Sequence, residues 1–224
     1  MSYFHHKPLL LLHLYTMNNR QPRCANLEQA GFDARKTAEE TWEALLSAGV
    51  FVEGNFVFAS GLRATLKADA ERLYSHPKQL SIILGHFAAY PCVQDADTLL
   101  YVPDGMRQFV TILGQELDKP VVGVRRKPGA TSKYDFVFES AGDKEMAHAA
   151  KAPVIGEDIV TTLGSVAGVR NLLRPEQSVH SLAILLRGNV DPVCQTSLTD
   201  HYLLVREIPT DKEAFKRSLE EKRF

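Results

Sequence analysis

The run from Ala152 to Ser165, APVIGEDIVTTLGS, limits what this chain can fold into more than any other stretch of it. A short apolar segment leads into two adjacent carboxylates, Glu157 and Asp158. Thr161, Thr162, Gly164 and Ser165 then open a new helical pattern. That order reads as a strand, a binding turn and a helix N-terminus. Backbone N–H groups left unpaired at a helix start, with hydroxyls beside them, can hold a phosphate while the helix dipole favours its charge. Carboxylates just upstream can accept hydrogen bonds from sugar hydroxyls. An ordinary helix cap would also place Asp, Thr and Ser here, but it needs only one side-chain oxygen. Two carboxylates, three hydroxyls and a glycine within nine positions exceed that need and point to a phosphorylated sugar.

The pattern around this run is alternating. Asp33 is a plausible N-cap for a helix carrying Ala38, Trp42, Leu45 and Leu46 at helical spacing, with Gly49 at its end. Residues 50–52 and 56–58 flank Glu53-Gly54-Asn55, which reads as a hairpin-like turn. Pro77 opens a helix with Leu80, Ile83, Leu84 and Phe87 on one stripe. Thr98 to Val102 reads as a buried strand, followed by a turn at Pro103-Asp104-Gly105 and a helix with Phe109, Ile112 and Leu113 facing inward. Val121 to Val124 is the next strand, then come the signature strand, a helix containing Val169, Leu172 and Leu173, and a strand from Leu182 to Leu186. Such alternation predicts an α/β fold with a mainly parallel sheet and helices on both faces. Ligands gather at the carboxyl ends of such strands, where the loops 103–107, 125–132 and 157–165 should converge.

With 224 residues the chain suits one α/β domain, and a net charge of −1 argues against a surface for polyanions such as nucleic acid. Three cysteines, Cys24, Cys92 and Cys194, show no metal-like spacing and fit a reducing compartment. The eight histidines form no ligand set and no zinc or Ser-His-Asp constellation, so they read as surface or structural. Leu9 to Leu12 is too short to cross a membrane and lacks a cleavage site. A cytoplasmic protein with a poorly ordered leader over residues 1–32 is therefore expected, and Met17 is an alternative start.

The signature segment resembles the phosphoribosyl pyrophosphate motif of type I phosphoribosyltransferases, in which hydrophobic residues precede Glu/Asp-Asp, two variable positions, Thr-Thr, a small residue, Gly and Ser/Thr. The resemblance implies that Glu157 and Asp158 contact the ribose hydroxyls and that Thr161, Thr162, Gly164 and Ser165 wrap the 5′-phosphate. Leu163 stands where Gly or Ala is usual, and Gly156 replaces a typical strand residue.

Flanking motifs are similar to those of the orotate phosphoribosyltransferase group. The stretch from Gly54 to Pro77 resembles its N-terminal element, which implies a small hood over residues 33–76 of a single domain at 33–224. Ser60 and Gly61 would then help form the base pocket. Asp104, Gly105 and Arg107 fall where the family has its pyrophosphate loop, although a plain strand-to-helix connection uses the same residues. Arg126 and Lys127 match an Arg-Lys pair there and are candidates for pyrophosphate contact. In the family a mobile loop with a Lys and a His then closes over the neighbouring subunit's site. Here the loop supplies Lys133 and no histidine. Arg187 matches an arginine aimed at the base carboxylate, a group that a guanidinium can grip in a fork.

The resemblance implies a magnesium-dependent transfer of phosphoribosyl from phosphoribosyl pyrophosphate to a nucleobase, orotate being favoured. Lys127, Lys133 and Asp158 are the candidate catalytic residues. The magnesium ion is expected on the substrate rather than in a protein cage, and a homodimer is expected from the family. A purine-type enzyme and a regulator that senses the sugar donor are the alternatives.

Overall fold

The computed structural model describes residues 33–57, 63–188 and 199–220. The leader, Met17, Cys24, Cys194 and the hood positions Ser60 and Gly61 lie outside the described residues. Asp33 caps the first helix, α1 (Ala34–Ser47), its carboxylate accepting the Lys36 N–H at 2.9 Å. Gly49 leaves that helix with φ of 63°, a conformation that costs glycine little because it has no Cβ. Thr41, Ala44 and Leu45 face the core, while the Trp42 ring packs on Phe51 at 5.3 Å between centroids.

The next segment corrects the sequence reading. Glu53-Gly54-Asn55 is not a turn: it lies inside one continuous strand, β1 (Phe51–Val57), which pairs antiparallel with β2 (Arg63–Ala68). The register slips between Glu53 and Phe56, so the extra residue is absorbed as a bulge. Glycine permits this, because a Cβ at Gly54 would lie 2.9 Å from the Phe56 ring. A 3₁₀ turn over Ala70–Ser75 then leads to α2 (Pro77–Ala89), opened by Pro77, and to the short α3 (Pro91–Gln94). Phe87 on α2 meets Phe109 edge to face at 4.8 Å.

The remaining elements are β3 (Thr98–Tyr101), α4 (Arg107–Glu116), β4 (Val121–Val122), β5 (Val124–Arg126), β6 (Phe136–Phe138), α5 (Ala141–Ala149), β7 (Pro153–Val160), α6 (Gly164–Arg170), β8 (His180–Arg187), β9 (Thr199–Arg206) and α7 (Lys212–Glu220). The main sheet has the order β4-β3-β7-β8-β9, with every pairing parallel. This is the mainly parallel sheet that the alternation predicts, and Leu99, Leu100, Ile155, Leu182 and Leu185 fill its buried middle. From β3 the chain moves one way to β4, and from β7 it moves the other way to β8 and β9. The loops leaving β3 and β7 therefore diverge and open a crevice at the carboxyl edge.

Gly156 lies where α4 packs on β7. A Cβ there would lie 2.7 Å from Cγ2 of Val110, so glycine lets α4 settle directly onto β7. Leu163, the other departure from the family motif, is buried in the core and pins the turn after β7 from beneath. The helix that follows ends at Arg170, so Leu172 and Leu173 lie in the turn beyond it rather than within it.

Val121 to Val124 is also corrected, because it is not one strand. Val121 and Val122 stay in the sheet, while β5 turns away after Gly123 and pairs antiparallel with β6. The Gly123 N–H is taken by the Asp143 carboxylate at 2.7 Å, and its carbonyl accepts the Glu139 N–H at 2.9 Å. Both partners pull the backbone out of the sheet. Arg125, Arg126 and Lys127 thus belong to a hairpin arm rather than to a loop that leaves a sheet strand.

At the opposite, amino-terminal ends of β8 and β9, two histidines form a stacked pair that single-residue reading leaves as unrelated positions. His180 Nδ1 lies 3.2 Å from His201 Nε2, and His201 Nδ1 lies 3.2 Å from the Tyr90 hydroxyl. Burial, and then the neighbouring His180, pushes the His201 imidazole down to about 4. Among the described residues no helix is long and apolar enough to cross a membrane.

Candidate active site

Two turns meet in the crevice between β3 and β7. The first covers residues 103–106, leaves β3 and contains a cis peptide between Pro103 and Asp104. The second covers residues 161–163, between β7 and α6. Glu157 and Asp158 sit at the end of β7 rather than in the turn itself, which fixes their backbone in the sheet.

The end of β7 touches the first turn through Asp158. A Cβ at Gly105 would lie 2.7 Å from Asp158 Oδ2, so this carboxylate lies directly against the first turn. The Gly105 carbonyl accepts a hydrogen bond from the Tyr74 hydroxyl at 2.6 Å, which ties the turn to the 3₁₀ segment below it. Burial is the main cause that pushes the Tyr74 hydroxyl up to about 12, with the nearby Asp158 charge adding to it. Tyr74 is therefore a proton donor throughout the neutral range. The Asp158 backbone N–H donates to Glu157 Oε1 at 3.1 Å, and the Ile159 N–H donates to Asp158 Oδ1 at 2.6 Å. Glu157 is buried, and its carboxyl is held well above the usual carboxylate range, first by burial and then by the Asp158 charge.

Thr161 and Thr162 are exposed on the second turn, with Gly164 and Ser165 half-buried behind them. These four, Asp158, Asp104 and Gly105 are the residues of the sequence reading that the fold brings to one edge. The basic residues divide. Arg126 bridges: its Nε lies 3.9 Å from Asp104 Oδ2, and its Nη1 donates to the Lys133 carbonyl at 2.9 Å. Arg107 is paired with the Glu139 carboxylate and lies over the Tyr101 ring. The Tyr101 hydroxyl donates to the same Glu139 at 3.2 Å. Lys127 and Lys133 are exposed on the hairpin loop.

Arg187 ends β8 as expected, but its guanidinium is engaged elsewhere. Nε donates to the Ile208 carbonyl at 3.0 Å and Nη2 to the Pro209 carbonyl at 3.1 Å. The arginine thereby straps the segment ahead of α7 to the sheet. A cavity of about 540 Å³ lies nearby, lined by residues including Phe56, Arg63, Thr65, Thr210 and Asp211, and none of the signature residues borders it. The candidate site is thus an open crevice between two turns.

Tyr74, Tyr134 and Glu139 join the site region without having been singled out by sequence. No spacing rule flags a lone aromatic or a lone glutamate. Among the described residues no group of three or more His, Cys, Asp or Glu side chains is arranged to hold a metal ion. Asp158, at the end of β7, and Asp104, on the first turn, still offer hard carboxylate oxygens. That donor set suits magnesium held by one or two carboxylates together with substrate phosphates.

No family model matches the chain. It is 29% identical over 133 residues to the orotate phosphoribosyltransferase of Pyrobaculum calidifontis, a match covering 59% of this chain and 66%, just under two thirds, of that protein. The crystal structure of orotate phosphoribosyltransferase from Aeropyrum pernix superposes with a TM-score of 0.60 at 18% identity, covering 80% of this chain and 97% of that one. Adenine phosphoribosyltransferase from Giardia lamblia, complexed with 9-deazaadenine, gives 0.55 at 12% identity, covering 73% and 98%. The parallel sheet, the crevice at its switch point and these likenesses together show that the chain has the type I phosphoribosyltransferase fold.

Proposed function

We propose that this chain transfers the phosphoribosyl group of phosphoribosyl pyrophosphate to a nucleobase, with orotate as the favoured acceptor. The observation that carries this reading is the contact of Asp158 with Gly105, which sets the end of the signature strand against the turn after β3. The sequence similarity to the Pyrobaculum protein supports orotate over other bases.

In this reading Glu157 and Asp158 orient the ribose hydroxyls, and the turn of Thr161, Thr162, Gly164 and Ser165 holds the 5′-phosphate. Backbone N–H groups of the Asp104-Gly105 turn, with Arg126 beside them, face the diphosphate. The bond from the anomeric carbon to the diphosphate oxygen breaks and that oxygen keeps the electron pair. A ring nitrogen of the base forms the new bond to carbon and gives up its proton to the departing diphosphate or to water. Positive charge develops on the sugar ring as the leaving group departs, and the Asp158 carboxylate offsets it. Asp158 and Asp104 would be the carboxylates that hold a magnesium ion brought with the diphosphate, and such an ion would neutralise charge on the leaving group. Positioning and fixed charges account for the rest of the acceleration. We carry the family's homodimeric assembly over as part of this reading.

A second reading is favoured by Arg187. Its guanidinium is hydrogen-bonded to the Ile208 and Pro209 carbonyls, which suits an acceptor without a carboxylate. Turnover assays with phosphoribosyl pyrophosphate, magnesium and orotate, uracil, adenine, hypoxanthine or xanthine distinguish the two. Orotate turnover above all others supports the first, and turnover confined to a base without a carboxylate supports the second. Tight donor binding with no turnover on any base would leave a donor-sensing regulator.

A further inference from the structure

Three elements meet beside the first turn, and one carboxylate joins them. Glu139 follows directly on β6, and its N–H donates to the Gly123 carbonyl at 2.9 Å. A Cβ built on Gly123 would sit 3.1 Å from Cβ, Cγ and Cδ of Glu139, so the glutamate side chain lies closely along that glycine. The carboxylate then reaches the end of β3, where Oε1 accepts the Tyr101 hydroxyl at 3.2 Å. Tyr101 is buried, and its register opposite Gly156 of β7 roots it in the main sheet. The same Oε1 receives Nη2 of Arg107, the first residue of α4.

A partly exposed Arg–Glu pair contributes little by itself, because the cost of ordering two long side chains offsets their attraction. Here the carboxylate is fixed by two contacts that do not involve the arginine, the Gly123 backbone and the Tyr101 hydroxyl. Arg107 therefore meets a partner already in place, and its guanidinium lies over the Tyr101 ring at 5.5 Å from the centroid. A guanidinium carries five N–H donors in a planar fork, so a carboxylate oxygen on Nη2 sets the plane while using only part of the fork. The Arg107 backbone belongs to the turn as well, its N–H donating to the Asp104 carbonyl at 3.2 Å.

We propose that Glu139, steadied by Tyr101, is a positioning residue that presets the Arg107 guanidinium at the first turn for the diphosphate of the donor. This role rests on the phosphoribosyltransferase reading, and its effect is opposite in sign to that of charge alone. Deleting a bystander carboxylate beside an anion site tightens anion binding, because the local potential becomes more positive. Deleting a carboxylate that orders the binding arginine loosens it, because the ordering cost then falls on the binding step.

Isothermal titration calorimetry of the full chain with inorganic pyrophosphate at fixed ionic strength, with a thermal melt of every variant, separates the two. Glu139→Ala should bind pyrophosphate about tenfold more weakly than wild type, the loss of about one charge-assisted hydrogen bond. Glu139→Gln keeps an acceptor for Nη2 and for the Tyr101 hydroxyl, and should bind at least as tightly as wild type. Tyr101→Phe keeps the buried ring, removes the hydroxyl and should lose about threefold, which provides a second test should Glu139→Ala fail to fold. Arg107→Ala should itself bind weakly, and adding Glu139→Ala to it should weaken binding no further, because the glutamate acts through that arginine. Pyrophosphate bound by Glu139→Ala as tightly as by wild type or more so, or binding unweakened in Arg107→Ala, would overturn the role while leaving the functional reading standing. A wild-type chain that binds neither pyrophosphate nor phosphoribosyl pyrophosphate would remove the functional reading, and this role with it.

Discussion

Asp158 Oδ2 and the Cα of Gly105 approach so closely that a methyl group on Gly105 would lie 2.7 Å from the carboxylate. The contact crosses 53 residues of chain and joins the two strands at the switch point. It predicts that Gly105→Ala pushes the Asp158 carboxylate out of register with the first turn. Displacing a substrate-positioning group by about 1 Å costs on the order of 100-fold, so kcat/KM should fall by about that factor. Steady-state kinetics with a thermal melt as control would check this, the melt moving little.

Tyr74 holds the same turn from below through its 2.6 Å hydrogen bond to the Gly105 carbonyl. Tyr74→Phe keeps the ring and removes the donor, at a cost of about 1–3 kcal/mol where the carbonyl is left unpaired. The Tyr74 hydroxyl is pushed up to about 12, mainly by burial. Wild-type rates should therefore show no loss from tyrosine ionisation between pH 8 and about 10. A tyrosine titration in that window, followed by ultraviolet difference spectroscopy and absent in Tyr74→Phe, would contradict the placement.

The stacked histidines predict acid sensitivity. His201 is held down to about 4 in the folded chain by burial and by His180, against an ordinary value near 6.5. Burial also lowers His180. A folded pKa below the unfolded one means that the unfolded chain takes up the proton more readily. The stability from His201 is complete above about pH 6.5, and it is lost as pH falls from there toward 4. The loss attributable to His201 is about 3 kcal/mol. Urea unfolding at pH 7, 5.5 and 4.5 should show this decline, and a His201→Phe variant should show a shallower one.

Gly156 should resist enlargement. Its missing Cβ is the space in which Val110 of α4 meets β7, so Gly156→Ala overpacks the core and should destabilise by about 1–3 kcal/mol. Urea midpoints of the two proteins would check this, and a neutral result would mean that α4 can shift freely.

Much of the architecture was legible because it rests on local pattern. Asp33 and Gly49 bracket α1 as cap residues do, and the apolar runs at β3, β7 and β8 are the buried strands of a parallel sheet. The signature was legible for the same reason, since its carboxylates and hydroxyls fall within nine positions. What sequence did not express was partnership at a distance. Val121 to Val124 looks uniform, and only Asp143 and Glu139 reveal that Gly123 divides it. The helix α5 did carry a local signal, since Ser140 accepts the Asp143 N–H as a cap. Tyr74 and Tyr134 reach the site across 31 and 30 residues, to Gly105 and Gly164, and nothing in their local sequence names those partners. Arg187 shows the reverse: its place at the end of β8 was foreseeable, whereas its bonds to the Ile208 and Pro209 carbonyls were not.

In the proposed reaction Asp158 and its neighbours hold a phosphoribosyl donor for transfer to a base. The most direct measurement is pyrophosphate release from phosphoribosyl pyrophosphate and magnesium, with and without orotate, by the wild-type chain and by Asp158→Asn. Orotate-dependent release is expected of the wild type, with a fall of about 100-fold or more in kcat/KM for Asp158→Asn and the melting temperature preserved. An Asp158→Asn protein that binds the donor and turns over as the wild type does would contradict it.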